Sequence, residues 1–289
     1  MHPFSYIAPA TIDEAVALLA EHGDRARCIA GGTDILVQAR GGRYDLEAIV
    51  DVKKIPELMA LEVDARGLNI GAAVSCCRIY EDQDIRAGYP GLIDAAELIG
   101  GIQIQSRASL GGNLCNSAPS ADGIPPLIVH SAIAYISGPN GNRQVPVEQF
   151  CSGPGQNVLD RGEILVSLYI PNPTKGFGAS YERFIPRNEM DIAVAAVGSS
   201  VVLANGTIQS ARIALASVAP TPVFAVEAAK SLVGKAATET NIQAASRLAA
   251  AAASPINDMR GTISQRKHLI GVLTQRTLNK GISRAQGAS

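Results

Sequence analysis

Capping signals, apolar runs and turn residues alternate along this chain and mark out its elements. Thr11-Ile12-Asp13-Glu14 has capping-box spacing, with a side-chain oxygen at the N-cap and a carboxylate three residues on. It predicts a helix carrying Val16, Leu18 and Leu19 and ending near Gly23. Arg27 to Ala30 reads as a short buried strand, Gly31 to Asp34 as a turn, and Ile35 to Ala39 as a helix. Ala48 to Val52 is a second buried strand. Strand, turn, helix and strand make a βαβ unit, so a small parallel sheet opens the protein.

The middle is mixed. Leu68 to Val74 predicts a strand, Leu92 to Ile99 a helix, and Ala132 to Ser137 a strand that enters the turn-rich run Gly138-Pro139-Asn140-Gly141-Asn142. Glu163 to Ile170 is another strand, stopped by Pro171-Asn172-Pro173. That run is the candidate boundary between a first domain, 1–175, and a second, 176–289. In the second, Ile192 to Leu203 and Thr207 to Leu215 flank Ala204-Asn205-Gly206, a strong hairpin signal. Beyond Pro220-Thr221-Pro222 the chain turns alanine-rich and predicts helices near Val223–Leu232, Thr240–Ala253 and Ser264–Leu278.

Composition narrows the function. With 289 residues, 47% hydrophobic and 18% charged, the chain is an ordinary globular protein, long enough for two domains. A net charge of -1 argues against a duplex nucleic-acid binder. Tryptophan is absent, so ring surfaces for a planar ligand are few. The five cysteines, Cys28, Cys76, Cys77, Cys115 and Cys151, form no CxxC pair, which speaks against an iron–sulfur centre or zinc in this chain. They read as free thiols in a reducing compartment. Met1 to Ser5 lacks the basic-then-apolar pattern of a leader, and no run approaches the roughly 20 apolar residues of a membrane span. Cytoplasm is the expected location. His2, His22, His130 and His268 are dispersed and form no candidate catalytic dyad.

Two segments carry candidate chemistry: Ala30-Gly31-Gly32-Thr33-Asp34 and Ser109-Leu110-Gly111-Gly112-Asn113. Each sets paired glycines beside a hydroxyl and a short polar side chain. Glycine lets backbone N–H groups turn inward at close range, and successive N–H groups make an anion-binding concavity. A helix opening at Ile35 would add partial positive charge. Two such loops could hold one pyrophosphate without Lys or Arg. Each loop alone reads better as a plain tight turn; the occurrence of two brings the two readings into balance. Neither is a GxGxxG fingerprint nor a P-loop, so a Rossmann site or an NTPase is disfavoured.

Ala30-Gly31-Gly32-Thr33-Asp34-Ile35-Leu36-Val37 resembles the first FAD loop of the medium subunits of molybdenum hydroxylases, the family of the xanthine dehydrogenase FAD subunit and the carbon monoxide dehydrogenase flavoprotein. Ser109 to Asn116, with Ala121-Asp122, resembles their second FAD loop. Met190-Asp191-Ile192-Ala193 and Asp258-Met259-Arg260-Gly261, then Arg266 and His268-Leu269, resemble later motifs. The resemblance implies an α+β protein: a vanillyl-alcohol-oxidase-like (PCMH-type) FAD domain of two α/β subdomains, then a C-terminal domain of antiparallel sheet and helices. It implies cofactor contacts from Ala30, Gly31, Gly32, Thr33, Asp34, Ile35, Ile99, Ser109, Leu110, Gly111, Gly112, Asn113, Asp122, Leu165 and Arg183. It also implies partners: a molybdopterin-binding large subunit and a small subunit with 2Fe–2S clusters, arranged as a dimer of heterotrimers. Electrons would pass from the clusters to FAD and on to an external acceptor.

The chain departs from the family pattern in places. Ile104-Gln105-Ser106 replaces a common Ile-Arg-Asn, Ile99 falls where some relatives have an aromatic flanking adenine, and Arg183 falls where some have a lysine near the flavin. Thr33 stands where covalent flavoproteins often carry a linking His, so the flavin is expected to be non-covalent. Single residues also have bland readings. Asp122 could cap a helix rather than meet ribose, Arg183 could serve a salt bridge, Asp191 a structural hydrogen bond, and Cys115 simple packing. No catalytic or metal-ligating residue stands out. Two other functions compete with the electron-transfer subunit: a self-sufficient flavin-dependent oxidase or reductase, and a nucleotide-sensing or interaction protein that kept the fold without the redox role.

Overall fold

The capping box forms: Thr11 accepts from the Glu14 N–H at 3.2 Å, and the Glu14 carboxylate accepts from the Ala10 N–H at 2.8 Å. The helix it starts, Ile12–His22, buries Ala15, Val16 and Leu19. These positions come from a computed structural model that describes residues 3–187 and 190–287. Met1 and His2 of the leader and histidine readings lie outside the described residues.

The parallel opening appears as expected. Ala26–Ile29 pairs in parallel with Ala48–Asp51, and Ser5–Ile7 pairs in parallel along the other side of Ala48–Asp51. The crossover between Ile29 and Ala48 carries the short helix Ile35–Arg40. A second, antiparallel sheet runs in the order Leu61–Val63, Gly67–Gly71, Ile164–Pro171, Ile133–Gly138, Gly141–Pro146. Its central strand Ile164–Pro171 carries a register shift between Leu165 and Ser167. Such a bulge re-aims side chains locally. The segment between Gly71 and Ile133 folds into short helices that bury Ile79, Ile85, Leu92, Leu110 and Leu127.

The hairpin signal in the C-terminal part is also correct. Ala195–Ala204 and Thr207–Ala216 pair antiparallel, and Asn205 (φ 50°) and Gly206 (φ 75°) take the left-handed angles of the turn. Phe177–Phe184 and Val223–Phe224 complete a four-stranded sheet, covered by helices Glu239–Ala252 and Ile263–Ala285. Two expectations need correction. Val223 opens no helix; it pairs with Leu215 as an edge strand, and the helix begins at Val226. The last helix continues past Leu278 to Ala285. Arg284 draws its end onto the fold, donating to Asp94 at 2.6 Å and to the Ala179 carbonyl at 2.8 Å. Gly178 allows the approach: a Cβ there would sit 2.1 Å from the Gly281 carbonyl oxygen.

Candidate functional site

Both glycine loops line one cleft of about 700 Å³, within the range of small-molecule and cofactor sites. Its wall includes Ala30, Gly31, Gly32, Thr33, Asp34 and Ile35 from the first loop. Ser109, Gly111, Gly112 and Asn113 come from the second, with Ile99 and Leu165 beside them. Twelve of the fifteen residues singled out from the sequence therefore share one cavity. Leu110, Asp122 and Arg183 do not line it.

The first loop is irregular backbone. A Cβ on Gly31 would lie 1.8 Å from the Arg107 carbonyl oxygen, so this glycine lets the first loop touch the chain that leads into the second. Gly32 has φ 79°, which a side chain would strain. The backbone N–H groups of Gly32, Thr33 and Asp34 have no backbone acceptor among the described residues. Lys53 anchors the loop from beneath, donating to the Ala30 carbonyl at 2.8 Å and to Asp51 at 2.6 Å. Asp51 is buried, which raises its pKa, but hydrogen bonds from Lys53 and Tyr6 outweigh burial and hold it below the usual carboxylate range.

The second loop is not an open turn. Leu110–Asn116 is a short helix that contains both glycines, and Ser109 caps it by accepting from the Gly112 N–H at 3.0 Å. A Cβ on Gly111 would lie 2.4 Å from the Ala72 carbonyl oxygen, so this glycine packs backbone against backbone. Gly112 is exposed at the wall, where a Cβ would meet only the Ser109 hydroxyl at 2.9 Å. Gln38, on the helix after the first loop, donates to Asn116 at 2.8 Å and ties the two loop helices together. Helices this short carry little macrodipole, so individual N–H groups, not helix charge, are what the site offers an anion.

The three residues outside the wall have their own places. Leu110 is a core side chain, 1% exposed. Asp122 accepts from Tyr181 and Arg183 in a buried cluster. Burial pushes its pKa up despite both partners. The cluster sits directly behind the second loop, because the neighbouring Gly123 N–H donates to Asn113 at 2.9 Å. Asp191 accepts from Arg187 at 3.1 Å. The Cys28 and Cys115 thiols line the cleft; burial pushes Cys28 up to about 12 and raises Cys115 further from its ordinary value. Neither is a nucleophile near neutrality. Among the described residues no group of three or more His, Cys, Asp or Glu gathers as a metal site.

Sequence reasoning missed Lys53, Gln38, Asn116 and the trio Arg27, Arg43 and Tyr44. The trio also lines the cleft. Arginines flanking a lone aromatic would have flagged it; nothing in the sequence flags Lys53.

Residues 2–173 match the family model described as the FAD binding domain in molybdopterin dehydrogenase. This chain belongs to that family. Residues 180–280 match the CO dehydrogenase flavoprotein C-terminal domain. The chain is 32% identical over 285 residues to a xanthine dehydrogenase FAD-binding subunit of Escherichia coli, covering 98% of this chain and 97% of the relative. It is 32% identical over 283 residues to the carbon monoxide dehydrogenase medium chain of Hydrogenophaga pseudoflava, covering 97% and 98%. A solved carbon monoxide dehydrogenase from that organism, lacking the Mo-pyranopterin moiety, superposes with a TM-score of 0.94 at 32% identity over 98% of this chain and 99% of that one. Quinoline 2-oxidoreductase from Pseudomonas putida 86 superposes with a TM-score of 0.90 at 29% identity, over 99% and 98%. The fold is thus the PCMH-type FAD fold with a flavoprotein C-terminal domain, and the chain is an oxidoreductase subunit that carries an FAD-binding domain.

The cleft fits the cofactor. A backbone with unclaimed N–H groups, a positive-φ glycine and a second glycine open at the wall form a cradle that any branched side chain would fill. Pyrophosphate is the part of FAD such a cradle suits.

Proposed function

We propose that this chain is the electron-transfer subunit of a molybdenum hydroxylase, and that it binds FAD non-covalently between its two glycine loops. The observation that carries this reading is the convergence of both loops on one cleft. Bound there, the flavin supplies two-electron and one-electron redox chemistry, and the chain's own work is to bind and orient it. Gly31 to Asp34 would offer backbone N–H groups to the pyrophosphate, with Gly112 and Asn113 completing the cradle. Ala30, Ile35, Ile99 and Leu165 would give apolar contact to the ring systems. Ser109, Leu110 and Gly111 hold the second loop in shape, and Asp122 with Arg183 supports it from behind. Thr33 cannot form the flavin bond that a His or Cys could.

The partners proposed are a molybdopterin-binding large subunit and a 2Fe–2S small subunit, in a dimer of heterotrimers, located in the cytoplasm. The names of the relatives as medium chains and FAD-binding subunits support partner subunits as such. A division into a cofactor domain, 1–175, and a C-terminal domain, 176–289, is supported by the two family matches. The test is anaerobic. The purified chain is mixed with purines, N-heterocycles, aldehydes and carbon monoxide while the flavin absorbance is followed. No bleaching is expected alone, and bleaching is expected when the partner subunits are added. Bleaching without partners would make the chain a self-sufficient flavin enzyme.

A further inference from the structure

We infer that Lys53 sets the direction of the Ala30–Gly31 peptide and thereby turns the Gly31 N–H toward the pyrophosphate. Lys53 is then a positioning residue for FAD, and the inference rests on reading the cleft as the FAD site. Ala30 and Gly31 line the cleft, whereas Lys53 and Asp51 do not. The Ala30 carbonyl oxygen accepts from Lys53 Nζ at 2.8 Å. That oxygen is therefore drawn away from the wall. The peptide is trans, and in a trans peptide the carbonyl oxygen and the following N–H point in opposite directions. The Gly31 N–H is left facing the cleft, and it has no backbone acceptor among the described residues.

A loop built on Gly31 needs such a lock. Packing against the Arg107 carbonyl demands glycine there, and glycine frees the backbone on its side of the peptide. A half-turn about the Ala30 ψ and the Gly31 φ would reverse the peptide with little movement of the chain on either side. The reversed peptide would aim a carbonyl oxygen, with its partial negative charge, at a pyrophosphate. Gly111 and Gly112 need no counterpart of Lys53, because helical backbone already fixes their peptides.

The lock is fixed by the sheet and not by the loop. Asp51 ends the central strand of the parallel sheet and is 5% exposed. It accepts from Lys53 Nζ at 2.6 Å and from the Lys53 N–H at 3.0 Å, and the Tyr6 hydroxyl donates to its other oxygen. Asp51 is paired with Ile29, the residue before Ala30. Strand pairing therefore sets the distance between the ammonium and the carbonyl it holds.

The experiment uses the flavin-free full chain with isotope labels at alanine carbonyl carbons and glycine nitrogens. Ala30-Gly31 and Ala87-Gly88 are the two Ala-Gly pairs of the sequence, so a carbonyl-to-nitrogen correlation spectrum shows these two peptides alone. In the wild type, added FAD should shift the Gly31 amide proton downfield and leave Gly88 in place. In flavin-free Lys53→Met the Ala30–Gly31 signal should move or split while the Ala87–Gly88 signal stays, a pattern that a general loss of stability does not produce. Calorimetry should show Lys53→Met binding FAD about tenfold to a hundredfold more weakly, as expected when a hydrogen bond to a charged group is lost. Circular dichroism checks that the variant is folded, and the wild-type spectrum decides the matter if it is not. A Gly31 signal unmoved by bound FAD would overturn the inference, and so would wild-type affinity in a folded Lys53→Met. A wild-type chain that binds no FAD would instead overturn the reading of the cleft itself.

Discussion

Gly31-Gly32 and Gly111-Gly112 line the same cleft, yet different forces hold them. In each pair the first glycine answers to packing: Gly31 against the Arg107 carbonyl, Gly111 against Ala72. The second glycines differ. Gly32 needs a left-handed angle that the backbone adopts nowhere in a helix. Gly112 sits in helical backbone, and the one atom a Cβ would crowd is the Ser109 cap hydroxyl. The first loop hangs on a charged anchor, Lys53 with Asp51, and the second on a neutral hydroxyl cap, Ser109. Similar dipeptides therefore mark similar places on a ligand but not similar local physics.

The largest expected effect breaks the contact between the loops. Gly31→Val drives a branched side chain into the Arg107 carbonyl. Overpacking of this kind costs about 3 kcal/mol or more, and flavin content should fall below detection. Urea unfolding with flavin absorbance measures both. Gly31→Val with native stability would mean that the loops do not meet.

Next comes the charged anchor. Lys53→Met leaves Asp51 buried without its cation, and losing a charge-assisted hydrogen bond predicts about 2 kcal/mol of destabilisation. This anchor also carries a pH signature. The Asp51 pKa is lowered in the fold, so its stabilisation is complete above the unfolded carboxylate value of about 4 and fades as pH falls through the depressed native value. Unfolding midpoints measured at descending pH should show a steeper acid loss in the wild type than in Lys53→Met. Parallel curves would dismiss Asp51 as the anchor.

Ser109→Ala removes a neutral cap and should cost about 1 kcal/mol, with no change in pH dependence. A pH-dependent difference from wild type would show that the second loop is not held by its hydroxyl alone. The smallest pair of effects sharpens the comparison of the second glycines. Ala at a positive φ costs roughly 1–2 kcal/mol, whereas Ala within a helix gains about 0.5–1 kcal/mol over Gly. Gly32→Ala should therefore lower the melting temperature. Gly112→Ala gains the helical term but presses on the Ser109 cap hydroxyl, 2.9 Å from the new Cβ, and a lost cap costs about 1 kcal/mol, so its melting temperature should stay near that of the wild type. Equal drops for both would erase the distinction.

Much of this was legible in the sequence because the signals are local. The capping box at Thr11, the parallel pair around Gly31-Gly32 and the turn at Asn205-Gly206 all depend on neighbours in the chain. Ten of the twelve cleft residues were identified because the two loop motifs are contiguous; Ile99 and Leu165 came only from the resemblance. What escaped was long-range. Nothing near Leu278 announces that Arg284 will find Asp94, so the last helix was read too short. Asp122 pairs with Arg183 across 61 positions, and that pairing takes both out of the wall. The short helix in the second loop was not foreseen, because Gly111-Gly112 signals a turn more strongly than Ser109 signals a cap. Arg27 and Tyr44 meet only once the crossover after the first loop has folded.

The central claim is that both loops cradle one non-covalent FAD. The most direct measurement is flavin stoichiometry after acid precipitation of the full chain, run beside Gly32→Val with circular dichroism of each. A two-loop cleft predicts close to one FAD per chain released to the supernatant by the wild type, and much less from Gly32→Val at wild-type ellipticity. Yellow colour kept in the pellet, or full flavin content in a folded Gly32→Val, would contradict it.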